Sequence, residues 1–134
     1  MVLMGSPMNI EIEWQNDLYI IRCKGRFIAG PEVEYMHAKM DEIQRLNSAR
    51  LLVDFREVPA IGSMGVTFIV GLYTSVVSRS GRLVLVGAAP LVRQALDLTR
   101  LSTVISLAPD IESGLAALRE QNSSSSVHAN AGAG

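Results

Sequence analysis

The chain has 134 residues, a length that suits one domain with a modest core, and 49% of them are hydrophobic against 19% charged. Twelve basic and thirteen acidic residues leave a formal net charge of -1 with no basic run, which argues against nucleic acid as a partner. No apolar stretch approaches the roughly 20 residues that span a bilayer, and no signal-type leader opens the chain, so a cytoplasmic protein without membrane insertion is expected.

Met1–Pro7 reads as a loose leader, which with Met8 makes residues 1–8 a flexible segment ahead of the domain. Asn9–Trp14 alternates, with Ile10, Ile12 and Trp14 on one side and Glu11 and Glu13 on the other, the pattern of a half-exposed strand. Gln15-Asn16-Asp17 supplies turn chemistry, and Leu18–Lys24 follows as a second strand in an antiparallel hairpin. The single cysteine, Cys23, lies in this apolar run and reads as a small buried hydrophobe in a reducing compartment. Gly25–Gly30 is a loop, and Pro31 fits the first position of a helix. Val33, Met36, Met40, Ile43 and Leu46 recur at helical spacing, and that helix is expected to end near Asn47. His37 sits beside the stripe with no metal-ligand neighbour at suitable spacing, so it is structural or exposed.

Leu51–Phe55 is a buried-type strand, and Ser63 to about Ser78 is a second helix. Leu83–Val86 is the next strand, Pro90 opens a third helix, a short strand is expected near Thr103–Ser106, and Pro109-Asp110 starts a last helix. Strands that alternate with helices after a hairpin predict an α/β domain over residues 9–120: a mostly parallel sheet with an antiparallel N-terminal hairpin and about four helices. Residues 121–134 are Ser, Ala, Asn and Gly with little apolar bulk, and read as a disordered tail.

The most informative segment joins the third strand to the second helix. Ser63 is placed to cap that helix through its hydroxyl, and the free N–H groups of the first turn favour a negative group nearby. Within the helix Gly65, Ile69, Leu72 and Val76 form one stripe, with Val66, Val70, Tyr73 and Val77 beside it, and both are assigned to the core. Opposite them Thr67, Gly71, Thr74 and Ser78 make a small, uncharged ridge, with Met64 and Phe68 adjacent. Solvated helix faces generally carry Lys and Glu, so this ridge suits a protein partner; the plainer alternative tucks Phe68 under a neighbouring loop.

The order of elements, the Val53-Asp54-Phe55 strand and the turn Ile61-Gly62-Ser63-Met64-Gly65-Val66 resemble the STAS domain. That family's hallmark is a strand followed by Asp-Ser-Ser-Gly-Leu-Gly at a helix start, and Gly65, Gly71 and Tyr73 fall where the pattern expects them. Gly81–Gly87, Val92–Leu101 and Ile111–Leu118 match its downstream part. The resemblance implies a bacterial anti-sigma-factor antagonist: a partner-switching protein that binds a serine-kinase-type anti-sigma factor and so regulates transcription. It places partner contacts at Gly62, Ser63, Met64, Thr67, Phe68, Gly71 and Thr74. Gly62 stands at the motif's Asp and Met64 at its phosphoacceptor serine, so the usual switch is missing. Ser63 keeps the first serine and is read as a structural cap ahead of a displaced phosphorylation site.

Asp54 is read either as ordering the turn by hydrogen bonding or as a solvent-side residue at a strand end. Ser63 lacks the spacing of a hydrolase nucleophile and has no histidine base in reach, and neither paired carboxylates nor a phosphate-cradling loop appears, so a binding module without cofactor or metal is expected. The same fold also serves as a subunit of transporter, lipid-transport and stress-sensing assemblies, and an uncharged helix face also suits a homodimer.

Overall fold

The alternating N-terminal segment and the apolar one after it pair as an antiparallel hairpin, β1 (Asn9–Gln15) and β2 (Leu18–Lys24), in continuous register from Asn9 opposite Lys24 to Gln15 opposite Leu18. The computed structural model of the chain describes residues 8–15, 17–25, 27, 33–46 and 50–119. Onto β2 are added β3 (Arg50–Glu57), β4 (Arg82–Val86) and β5 (Ser106–Ala108), all parallel, in the order β1-β2-β3-β4-β5. The crossovers are α1 (Val33–Gln44), α2 (Ser63–Val77) and α3 (Pro90–Leu98), and α4 over residues 111–119 follows β5. This is the mixed sheet with an N-terminal hairpin and four helices that the alternation of elements predicts.

The central strands are apolar on both faces because both faces are covered. Ile21, Cys23, Val53, Phe55, Leu83 and Leu85 pack against α1, α2 and α3 through Met36, Ile43, Ile69, Leu72, Val92 and Leu96. Leu18, Ile20, Leu52, Val84 and Val86 pack against Leu118 on the opposite face, with Ile111 and Leu115 alongside. Cys23 belongs to the first core, and burial, aided by the nearby Asp54 charge, pushes its thiol well above the ordinary range. His37 is exposed on α1.

One boundary differs from the sequence reading. The strand expected near Thr103–Ser106 begins only at Ser106, because the preceding segment is spent on a 3-10 turn at Leu101–Thr103, where Val104 and Ile105 both donate to the Leu101 carbonyl. Arg100, at φ 66°, stops α3 by turning left-handed. Residues 1–7, Pro31, Asn47 and the tail fall outside the described residues, whereas Met8, assigned to the flexible leader, is buried in the first core.

α4 lies close to the sheet at Gly114: a Cβ there would stand 2.5 Å from Val86 Cγ1 and 2.9 Å from Leu52 Cδ1. Gly114→Val must therefore push α4 outward, and a loss of about 1–3 kcal/mol is expected, read as a lower urea midpoint at unchanged slope.

Candidate functional site

β3 leads into α2 through a loop whose geometry is set from two sides. On the α4 face of the sheet, Asp54 is buried at 6% exposure and is the centre of a charged cluster. Its Oδ1 accepts the backbone N–H of Arg56 and its Nε, both at 3.0 Å, while Oδ2 accepts from Arg56 Nη2 at 3.0 Å and Arg22 Nη1 at 3.4 Å. Arg22 in turn donates to Glu13 at 3.0 Å. The register explains why: Arg22 pairs with Asp54 and Lys24 with Glu57, so Phe55 and Arg56 stand against Cys23 alone. That bulge takes the Arg56 N–H out of the ladder, and the Asp54 carboxylate receives it. Burial tends to raise the Asp54 pKa, but the hydrogen bonds and charge of Arg56, with Arg22 behind them, outweigh it and hold the carboxyl below its usual range. Neither reading of Asp54 holds as stated: it is buried, so it is not a solvent-side residue, and its hydrogen bonds run to Arg56 and Arg22 at the strand end and not to the turn at 61–66.

On the other face the loop is locked by Phe27. Its carbonyl accepts N–H groups from Gly62 at 2.9 Å and Gly65 at 3.2 Å, and Phe27 and Ile61 form a parallel bridge. Its ring packs on Phe55 and Phe68 with centroids 5.5 and 5.4 Å away. Gly65 permits this approach, because a Cβ there would lie 2.6 Å from Ile61 Cβ and 2.9 Å from Phe27 Cβ.

The consequence for Ser63 is a correction. The N-cap of α2 is Gly62, no side chain caps the helix, and Ser63 is its first helical residue with an exposed side chain. The Gly65 N–H, which a capping serine would take, is already held by the Phe27 carbonyl. Phe68 is a second correction: it is fully buried between the loops and the sheet, as in the plainer alternative, and cannot touch a partner. Gly71 is half-buried under α1, where a Cβ would meet Met40 Cε at 2.7 Å.

The residues that do face outward are Ser63, Thr67, Val70, Thr74 and Val77, at alternating helical spacings of four and three. Val70 (40% exposed) and Val77 (52%) thus leave the core to which the stripe pattern assigns them. Met64 and Val66 are half-buried beside them, and Thr67 ties the first turn by donating to the Ser63 carbonyl at 2.9 Å. All fifteen residues of α2 are uncharged. The outcome is a smooth face of hydroxyls and valines about 22 Å long. The sequence pattern misses the two valines because a helix this apolar gives little phase to its buried side. Among the described residues no group of His, Cys, Asp or Glu is arranged to hold a metal ion.

The family model for the STAS domain matches residues 9–114. The chain belongs to the STAS domain family. Among solved structures, an anti-sigma factor antagonist from Mycobacterium paratuberculosis is similar at 19% identity and a TM-score of 0.75, over 87% of this chain and 99% of that one. A variant of RsbS from Moorella thermoacetica is similar at 15% identity and a TM-score of 0.65, over 84% and 97%. The phosphorylated form of the Bacillus cell fate determinant SpoIIAA is similar at 20% identity and 0.60, over 78% and 96%. At these identities the likeness is one of fold. No curated protein matches the chain.

Within the STAS fold, Ser63 and Asp54 lend themselves to opposite tests. Ser63→Ala removes no cap, so thermal unfolding should shift by no more than about 0.5 kcal/mol, whereas loss of a true cap costs about 1 kcal/mol. For Asp54, a carboxyl held below its unfolded value near 3.9 contributes stability that is fully present above that pH and is lost as pH falls through the depressed folded value. Asp54→Asn should cost about 1–3 kcal/mol at neutral pH and flatten the acid side of a stability-against-pH curve built from urea midpoints.

Proposed function

We propose that this STAS domain is an anti-sigma-factor-antagonist-like binding protein. On this reading it engages a serine-kinase-type anti-sigma factor in a bacterial cytoplasm and so acts on transcription by partner switching. The observation that carries the proposal is the exposed, uncharged outer face of α2, which opens at the position of the STAS signature turn. Gly62, Ser63, Met64, Thr67 and Thr74 belong to the contact, with Val70 extending it, while Phe68 and Gly71 support it from behind. Such a face costs little to desolvate, since it carries no charge and its threonine hydroxyls can satisfy themselves on the helix backbone, as Thr67 does.

Met64 at the usual acceptor position makes this a binder that is not switched there. Ser63 is the remaining candidate for phosphorylation: its hydroxyl is exposed and has no capping role. Phosphate at Ser63 would place about two negative charges at the leading edge of an uncharged interface and weaken the complex.

The test is a pull-down from the source organism with intact-mass measurement of the bait, followed by calorimetry with the recovered partner. Met64→Asp and Val70→Asp should each weaken binding at least about tenfold while leaving the melting temperature within a few degrees, since each lodges a carboxylate in the contact. Recovery of a permease or lipid-transport subunit in place of an anti-sigma factor would keep the fold and overturn the function, and binding indifferent to both substitutions would overturn the surface.

A further inference from the structure

Every helix of this domain runs back against the parallel strands, so the helix C-termini gather where β3, β4 and β5 begin. The chain places an arginine at most of these points. Arg79 follows α2, Arg82 opens β4, Arg100 follows α3 and Arg119 ends α4, whose close approach to Val86 and Leu52 at Gly114 and packing of Leu118 with Leu18 bring it to the same end. All four are exposed. Arg79 donates to the carbonyls of Gln44 and Leu46, which fixes its position without neutralising it. Among the described residues neither Arg79, Arg100 nor Arg119 has a carboxylate within ion-pair distance. Among the described residues Asp17 is paired with Arg50, and Asp97 accepts from the Ser102 hydroxyl at 2.6 Å with Arg93 at 4.0 Å. Asp41 and Glu42 lie in the last turn of α1, Glu42 paired with Lys39 at 3.5 Å.

Set among these guanidinium groups are aliphatic side chains that the core does not use. Leu98 at the end of α3 is 78% exposed, and Val77 and Val104 are each 52% exposed. Val77, Val104 and Arg82 line a shallow groove of about 140 Å³. A basic end with protruding aliphatic tips is a combination with a definite complement: phosphate groups that take guanidinium in bidentate fashion, backed by an apolar phase.

We propose that the Arg79–Arg82–Arg100–Arg119 end of the domain docks on an anionic phospholipid surface, with Leu98, Val77 and Val104 entering the headgroup boundary. Nucleic acid would match the arginines but leave the three aliphatic tips in water. A protein partner would call for a central apolar cluster seated in pockets, whereas here the tips stand on separate element ends around one small groove. The contact is peripheral, for no helix among the described residues is long and apolar enough to cross a membrane. It leaves the N-terminal end of α2, at the opposite pole, open.

Flotation of the full chain with vesicles tests this. Retention is expected on vesicles of equal parts phosphatidylcholine and phosphatidylglycerol at low salt, with none on phosphatidylcholine alone, and it should fall as salt screens the arginines. Arg100→Gln and Arg119→Gln should each weaken retention on the order of fivefold. Leu98→Ser with Val104→Ser should weaken it again at unchanged melting temperature, whereas Lys24→Gln at the other end should change nothing. No retention on the anionic vesicles would overturn the proposal, as would retention indifferent to the arginine changes. Equal affinity for an RNA homopolymer with the aliphatic changes silent would assign this end to nucleic acid. Loss of a captured acidic protein on Arg100→Gln, without any vesicle binding, would assign it to a protein.

Discussion

A single backbone carbonyl, that of Phe27, decides how the signature turn of this domain is presented. It accepts two N–H groups from the start of α2, at Gly62 and Gly65, while its own ring fills the space between Phe55 and Phe68. Hydrogen bond and aromatic packing act on the same residue, so Phe27 ties the end of β3 to the first turn of α2. Two features at the site depend on this lock. Gly65 must lack a side chain, because the space a Cβ would need belongs to Phe27 and Ile61. Ser63 is relieved of capping, so its hydroxyl faces solvent in a turn whose backbone is satisfied from elsewhere.

The Asp54 cluster does for the α4 face what Phe27 does for the other. A bulge in β3 frees the Arg56 N–H, and a buried carboxylate receives it while balancing two guanidinium groups. Burying a carboxylate is costly unless its lone pairs are filled, and here four donor contacts fill them. Arg56 in turn lies across Gly87, where a Cβ would come within 2.2 Å of its Cγ and where φ is +69°. Any side chain at position 87 would therefore displace Arg56 and loosen the clasp. The end of β3 is thus held on both faces, and α2 leaves the sheet in a fixed direction.

Much of this fold is legible in the residues. The alternation of Ile10, Ile12 and Trp14 with Glu11 and Glu13, and the unbroken apolar run of Leu51–Phe55, specify an edge strand and a central one because side chains alternate along a strand and the centre is covered twice. The α2 site is only half legible. A helix composed of Val, Ile, Leu, Thr and Gly tells a reader that it is packed, but its two sides differ too little in hydrophobicity to say how it is rotated, so Phe68 and Val70 exchange places between face and core. The cap is illegible for a different reason: the acceptor comes from Phe27, thirty-five residues before Gly62 in the chain, and no local pattern announces it.

The basic end shows the same limit on the scale of the whole molecule. A linear scan for basic runs finds none, and rightly, since Arg79, Arg82, Arg100 and Arg119 are spread over forty residues. Arg79, Arg100 and Arg119 each have a local reason to be there, because a cation at a helix C-terminus complements the helix dipole. The crossover topology then does what the linear order does not: it returns every helix to the same edge and collects locally justified charges into one field. Charge segregation of this kind is a by-product of parallel α/β architecture that needs only exposed aliphatic neighbours to become a surface with a use. In this chain α2 joins the two ends, its first turn uncharged and its last turn running into the arginines, so that one helix spans the roughly 22 Å between an uncharged end and a basic one.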